Sequence, residues 1–220
     1  MKLAALFDFD GVIMDTEGQY SIFWDEQGKK YLNEDDFGQR IKGQTLQQIY
    51  DKHFEGMNEI QQRMTDSLNR YESEMSYNYL PGVEAFLADL RKHGVKLALV
   101  TSSNKKKMAV VYRAHPELCE YFNHILTAND FARSKPHPEC FLLGMEIFST
   151  TPENTVVFED SFHGLQAGMD SGATVIGLAT TNSREAIGQK AHHIIDNFTG
   201  MTFERMVAIA TRATERCTRI

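Results

Sequence analysis

Two aspartates one residue apart, Asp8 and Asp10, close an unbroken apolar run, Leu3-Ala4-Ala5-Leu6-Phe7. In a strand the side chains at i and i+2 point the same way, so both carboxylates would project from its carboxyl end. Gly11 then lets the chain turn sharply. Neighbouring carboxylates repel each other unless a cation lies between them. Thr101 and Ser102 follow a second apolar run, Lys135 sits in Ser134-Lys135-Pro136-His137-Pro138, and Glu159-Asp160-Ser161 follows a third. Carboxylates are hard oxygen donors. Asp8, Asp160 and Glu159, with the backbone carbonyl of Asp10, suit an octahedral Mg2+ that keeps some of its waters. No His or Cys stands at these points to suggest zinc or copper. The Thr101 hydroxyl and the Lys135 ammonium suit phosphate oxygens. The chemistry these groups can do together is phosphoryl transfer. Mg2+ and Lys135 offset the repulsion between a phosphate dianion and a carboxylate nucleophile. Asp8 attacks phosphorus to form an aspartyl-phosphate. Asp10 protonates the leaving oxygen and then takes a proton from the attacking water.

Such groups need elements to position them. Short apolar runs predict strands at Leu3–Phe7, Val95–Val100, His124–Thr127, Thr155–Phe158 and Thr174–Leu178, with a sixth at His193–Ile195. Helical spacing predicts helices over Val83–His93, from Lys105 to about His115, Glu139–Phe148, up to Ser171 and from Met201 onward. Alternating strands and helices define an α/β, doubly wound parallel-sheet core, Rossmann-like, with ligands outside the carboxyl ends of the strands. Each polar cluster lies at or just beyond such an end. Between Thr16 and Tyr79 no buried strand is legible. Apolar residues fall there at helical spacings, and Gly28, Gly38, Gly43 and Gly56 read as helix ends. The expected organisation is therefore a core from 1–15 and 80–220 with an inserted all-helical cap, 16–79, of about four helices.

The 220-residue chain has a net charge of −7 and no long basic run, which argues against a nucleic-acid surface. The short cluster Lys105-Lys106-Lys107 reads as the start of a solvated helix. The insert is itself acidic, with 12 acidic against 7 basic residues, which suits a small phosphorylated metabolite better than a long polyanion. No apolar run approaches a membrane span, and the N-terminus has no signal-peptide pattern. A cytoplasmic monomer, without nucleic-acid or membrane partners, is expected. Cys119, Cys140 and Cys217 are far apart and read as ordinary thiols.

Asp8-Phe9-Asp10-Gly11-Val12, strand-end Thr101, Lys135 in Ser-Lys-Pro-His-Pro, and Glu159-Asp160-Ser161 followed by Gly164 and Gly172 resemble the four motifs of the haloacid dehalogenase superfamily. The resemblance covers essentially the whole chain. It implies Asp8 as nucleophile, Asp10 as acid/base, Thr101 and Lys135 as phosphate stabilisers, and Asp160 with Glu159 at the magnesium. Asp15-Thr16, Trp24, Lys42-Gly43 and Tyr79-Leu80-Pro81-Gly82 are similar to the β-phosphoglucomutase and sugar-phosphatase branch. Three cap positions differ from the mutase pattern. Tyr20 stands in place of a His, Leu46 in place of an Arg, and Asn69 (beside Arg70) in place of a Lys. A mutase must hold a second phosphate with such groups, so a simple phosphatase is favoured over phosphoryl transfer between sugar phosphates. Tyr20, Trp24, Gly43 and Leu46 are candidates for the substrate side of the cap. Thr16 is a hinge or substrate contact, and Ser102 and Ser103 are further phosphate contacts. His137 and His163 near the rim are expected to be structural. A receiver-like phosphoacceptor module shares the Asp-Thr-Lys chemistry but has no place for the insert.

Overall fold

The computed structural model describes residues 3–217. Its first strand, β1 (Ala4–Phe7), is followed by four helices, α1 (Glu17–Leu32), α2 (Phe37–Arg40), α3 (Leu46–His53) and α4 (Asn58–Glu74). Then come α5 (Val83–Lys92), β2 (Lys96–Val100), α6 (Lys105–Ala114), α7 (Leu118–Tyr121) and β3 (His124–Leu126). The remainder runs α8 (Glu139–Phe148), β4 (Thr155–Glu159), α9 (Phe162–Asp170), β5 (Thr174–Leu178), α10 (Arg184–Ile187), β6 (His193–Ile195) and α11 (Phe203–Cys217). The six strands pair in parallel in the order β3-β2-β1-β4-β5-β6.

The central strands are apolar because both faces of the sheet are covered. Alternate side chains divide between two cores. Ala5 and Phe7 of β1 pack with α5, α6 and α11, while Ala4 and Leu6 pack with α8 and α9. On the first face Phe7 stacks on Phe158 at 4.5 Å, with Phe86 and Phe122 edge-on at 6.2 and 6.0 Å. Each fully buried phenyl contributes roughly 1.5–3 kcal/mol of burial free energy, so this cluster fixes the relative register of β1 and β4 beneath their carboxyl ends.

The helical insert has its own core of Phe23, Trp24, Phe37, Tyr50, Phe54 and Met64, among others. It is entered after β1 and left near Tyr79, which bridges to Met14. One expectation is corrected here. Gly28 does not end a helix but lies inside α1, because a Cβ there would stand 2.3 Å from that of Phe37. The glycine lets α1 and α2 approach closely. Two short helices, α7 and α10, were not legible in the sequence, being too short to show a period. Of the thiols, Cys119 is exposed and Cys140 buried. The side chain of Cys217 lies outside the described residues. Among those residues no helix is long and apolar enough to cross a membrane.

Candidate active site

The carboxyl ends of β1, β2 and β4 converge with the loop before α8 on a cavity of about 910 Å³ that the helical insert closes from above. The order of the sheet reverses at β1, and a crevice at that switch point is where such sheets take ligands. Asp8 leaves β1 with its amide on the Phe158 carbonyl at 3.0 Å. Phe9 turns into the core, and Asp8 and Asp10 both face the cavity. The turn requires Gly11, at φ +74°. A Cβ there would stand 2.1 Å from Oδ2 of Asp160.

Lys135 is buried and joins three elements. Its Nζ donates to Asp8 Oδ1 at 2.6 Å, to Glu159 Oε1 at 2.7 Å and to the Val100 carbonyl at 3.1 Å. Burial alone would push its ammonium down, but Asp8 and Glu159 outweigh that and hold it up. Burial pushes the Asp8 carboxyl up to about 8; Lys135 pulls against this, while Glu159 and Asp10 add to it. Asp160 is likewise raised, first by burial and then by Glu159, Glu17 and Asp8. Thr181 donates to its Oδ2, and Asn182 donates to its backbone carbonyl at 3.0 Å.

Glu159, expected beside the metal, is held on both oxygens. One accepts from Lys135, and the other accepts from the amides of Asp160 and Ser161 at 2.8 and 2.9 Å and from the Ser161 hydroxyl. In these contacts it orients Lys135 and the Asp160 loop. Among the described residues no three His, Cys, Asp or Glu side chains are grouped closely enough to hold a metal alone. Asp8, Asp160 and the Asp10 carbonyl supply only two carboxylates and one neutral oxygen. That is the donor set of a cation that keeps several waters, and mutual repulsion among Asp8, Glu17 and Asp160 favours a positive charge between them. The site fits Mg2+ in these terms.

Thr101 is buried, and its hydroxyl accepts from the Ser103 amide at 3.0 Å. Ser102 lines the cavity with a buried hydroxyl that has no partner among the described residues. Ser103 instead donates to Asp10 Oδ2 at 3.0 Å. Thr16 does not line the cavity; it is fully buried and donates its hydroxyl to Asp10 Oδ1 at 2.6 Å. Tyr20, Trp24, Gly43 and Leu46 all line the cavity. The Tyr20 hydroxyl donates to Glu72 Oε1 at 2.9 Å, and burial raises its phenol well above the usual range. Gly43 abuts the core, where a Cβ would stand 2.5 Å from the Ser161 hydroxyl. His163 holds the Lys42 carbonyl at 3.2 Å, and His137 accepts the Glu139 amide at 3.1 Å. Both are structural contacts.

The basic cluster opens α6 with Lys105 and Lys106 exposed, as expected, but Lys107 departs from that reading. It is buried, and its Nζ lies 2.7 and 2.6 Å from the two Asp10 oxygens. The available signal was its place. Asn104 caps α6 by accepting the Lys107 amide, and a side chain in the first turn leans back over the helix start, toward the strand ends.

Comparison with known proteins agrees with this geometry. The family model described as haloacid dehalogenase-like hydrolase matches residues 5–178, and the chain belongs to that family. It is similar to a phosphorylated carbohydrates phosphatase of Thermotoga maritima, 31% identical over 179 residues covering 77% of this chain and 81% of the relative. It is also similar to glycerol-1-phosphate phosphohydrolase 2 of Saccharomyces cerevisiae, 30% identical over 210 residues covering 87% and 80%. Among solved structures, a β-phosphoglucomutase from Clostridium difficile superposes with a TM-score of 0.79 at 26% identity, over 96% of this chain and 98% of that one. The protein is accordingly an enzyme, a hydrolase of phosphate monoesters on an α/β Rossmann-like core with a helical insertion.

Proposed function

We propose that the chain is a Mg2+-dependent phosphatase acting on a small monophosphate with a neutral body, such as a sugar or polyol phosphate, through an aspartyl-phosphate on Asp8. One observation carries the choice over a mutase. Every cation lining the cavity, among the described residues, is tied to a carboxylate. Lys135 pairs with Asp8 and Glu159, Lys107 with Asp10, Lys42 with Glu17 at 3.5 Å and Arg133 with Glu139 at 2.7 Å. Only Lys135 stands beside the nucleophile, and the other cations are paired away from it, which supports a single phosphate site. Leu46 occupies the cap wall, and neither Asn69 nor Arg70 lines the cavity.

Held by Asp8, Asp160 and the Asp10 carbonyl, Mg2+ would supply charge stabilisation to the transferring group and draw the Asp8 carboxyl back to its ionised form. Lys135 and the Thr101 and Ser102 hydroxyls hold phosphate oxygens while Asp8 attacks phosphorus in line. Asp10 gives a proton to the departing alcohol and takes one from the water that cleaves the acyl phosphate. Residues 16–79 act as the cap that shuts water out during the first step, over a core of 1–15 and 80–220.

The test is phosphate release from a panel of monoesters with and without Mg2+, run beside conversion of β-glucose 1-phosphate to glucose 6-phosphate. Metal-dependent release without isomer conversion is expected. Conversion with little release would place a second phosphate in the cavity and overturn the reading.

A further inference from the structure

Lysine is almost never fully buried unless paired, and Lys107 is 3% exposed at the contact between the core and the insert. Its ammonium is fully occupied. It lies 2.7 and 2.6 Å from Asp10 Oδ1 and Oδ2 and 2.9 Å from the Ser103 hydroxyl. Asp10 is held in turn. Thr16 donates to one oxygen and Ser103 to the other, so its carboxylate plane is set by three side chains from two stretches of the chain. The fourth side of the ammonium faces aromatic rings. Tyr20 of α1 lies 4.5 Å away and Phe9 of the core 5.2 Å. Tyr20 is in turn anchored on Glu72 of α4. A cation over a ring face is attracted to it, and excluding water strengthens the ion pair beneath.

We infer that Lys107 is a positioning residue that holds Asp10 in the orientation needed for proton transfer, and that the insert completes this hold by laying Tyr20 over the ammonium. The inference rests on Asp10 being the acid/base of the proposed reaction. Lys107 touches neither phosphate nor leaving group. A carboxylate that must reach the leaving oxygen gains from being fixed before substrate arrives. Here the fixing depends on a cap residue, so an open cap leaves Asp10 less well aimed.

The experiment uses the whole chain with Mg2+ and two substrates, an alkyl monophosphate whose departing alkoxide needs a proton and p-nitrophenyl phosphate whose leaving group does not. Asp10→Asn, Lys107→Met, Lys107→Arg, Tyr20→Leu and the double variant Asp10→Asn/Lys107→Met are compared. General acid catalysis is worth roughly 10²–10⁴-fold, so Lys107→Met should lower kcat on the alkyl ester by about 10–100-fold and on p-nitrophenyl phosphate by under about threefold, with KM unchanged. Lys107→Arg should recover part of the loss, and Tyr20→Leu should show the same selectivity more weakly. The double variant should be no slower than Asp10→Asn, because Lys107 works through Asp10. A merely structural lysine would lower activity on both substrates alike, and the double variant would be slower than either parent. Equal losses on both substrates, or a change in KM alone, would overturn the inference while leaving the reading of Asp10 intact. An Asp10→Asn enzyme with no leaving-group selectivity would overturn both.

Discussion

Asp8 and Lys135 are 127 residues apart in the chain and 2.6 Å apart in the fold. Placing an ammonium there offsets the repulsion that an incoming phosphate would feel, while Glu159 keeps the ammonium in line. Asp8→Asn preserves the shape and removes the attacking oxygen. Turnover is expected to fall below about one-thousandth of wild type with the fold intact, given the roughly 10²–10⁴-fold scale of single catalytic groups. Rapid-quench measurement of phosphate release, with circular dichroism as the control for folding, checks it; greater residual turnover would move the nucleophile elsewhere. At this scale the sequence was legible wherever a polar group closed an apolar run, as at Asp8, Thr101 and Asp160, and at Lys135 from its place between strands in Ser-Lys-Pro-His-Pro. It was silent where a residue's role is set by a partner distant in the chain. Lys107 looks like one charge of three until Asp10, 97 residues earlier, is placed beside it. Glu159 reads as an acidic group of the loop until Lys135 and the amides of Asp160 and Ser161 are placed on it.

Elements hold these groups, and their ends carry the specificity. Short apolar runs bounded by polar and turn residues located all six strands, because strands covered on both faces are apolar runs with polar stops. Helices of four residues left no such trace. The edge of the sheet shows how a single side chain secures an element. His192, just before β6, accepts the Val175 amide on Nδ1 at 2.9 Å and returns its own amide to the Val175 carbonyl at 2.9 Å. Burial lowers its pKa below the ordinary 6.5. An Nδ1 that accepts cannot also carry a proton. The unfolded chain therefore binds a proton that the folded one resists, and stability is full above about pH 6.5 and declines as pH falls below it. One hydrogen bond is worth about 1 kcal/mol, so thermal unfolding should drop by roughly 2–4 °C from this group between pH 7 and pH 5.5. His192→Asn, whose amide oxygen can take the same bond, should reduce the pH slope relative to wild type. An unchanged slope would show that His192 does not contribute to it.

At the scale of the molecule, α4 of the insert packs against α6 of the core, and polar contacts join the two elsewhere. Gln48 donates to the Lys135 carbonyl at 3.0 Å, His163 meets the Lys42 carbonyl, and Gln39 reaches Asn182 at 3.4 Å. Each body has its own apolar core, so the contact is suited to being made and broken. Gly43, at φ +77°, abuts Ser161 of the core. Gly43→Val should keep the insert from seating on Ser161. kcat/KM is expected to fall by at least about tenfold, on the scale of misaligned but intact sites. Valine at positive φ is strained by about 1–3 kcal/mol, so the unfolding temperature should fall by several degrees, and small-angle scattering should show a larger radius of gyration. A variant that stays compact and active would show that seating at this point is dispensable. The helical character of the insert was legible in the sequence, but the side of it that faces the site was not, since a helix pattern shows which residues are buried and not what buries them. Trp24 illustrates the difference. It packs edge-on against Phe23 and Phe37 at 5.2 and 6.3 Å, yet it also borders the cavity. It is the chain's single tryptophan. The protein thus carries a built-in optical probe, whose emission comes from one buried indole bordering the site and is expected to shift when the site is filled.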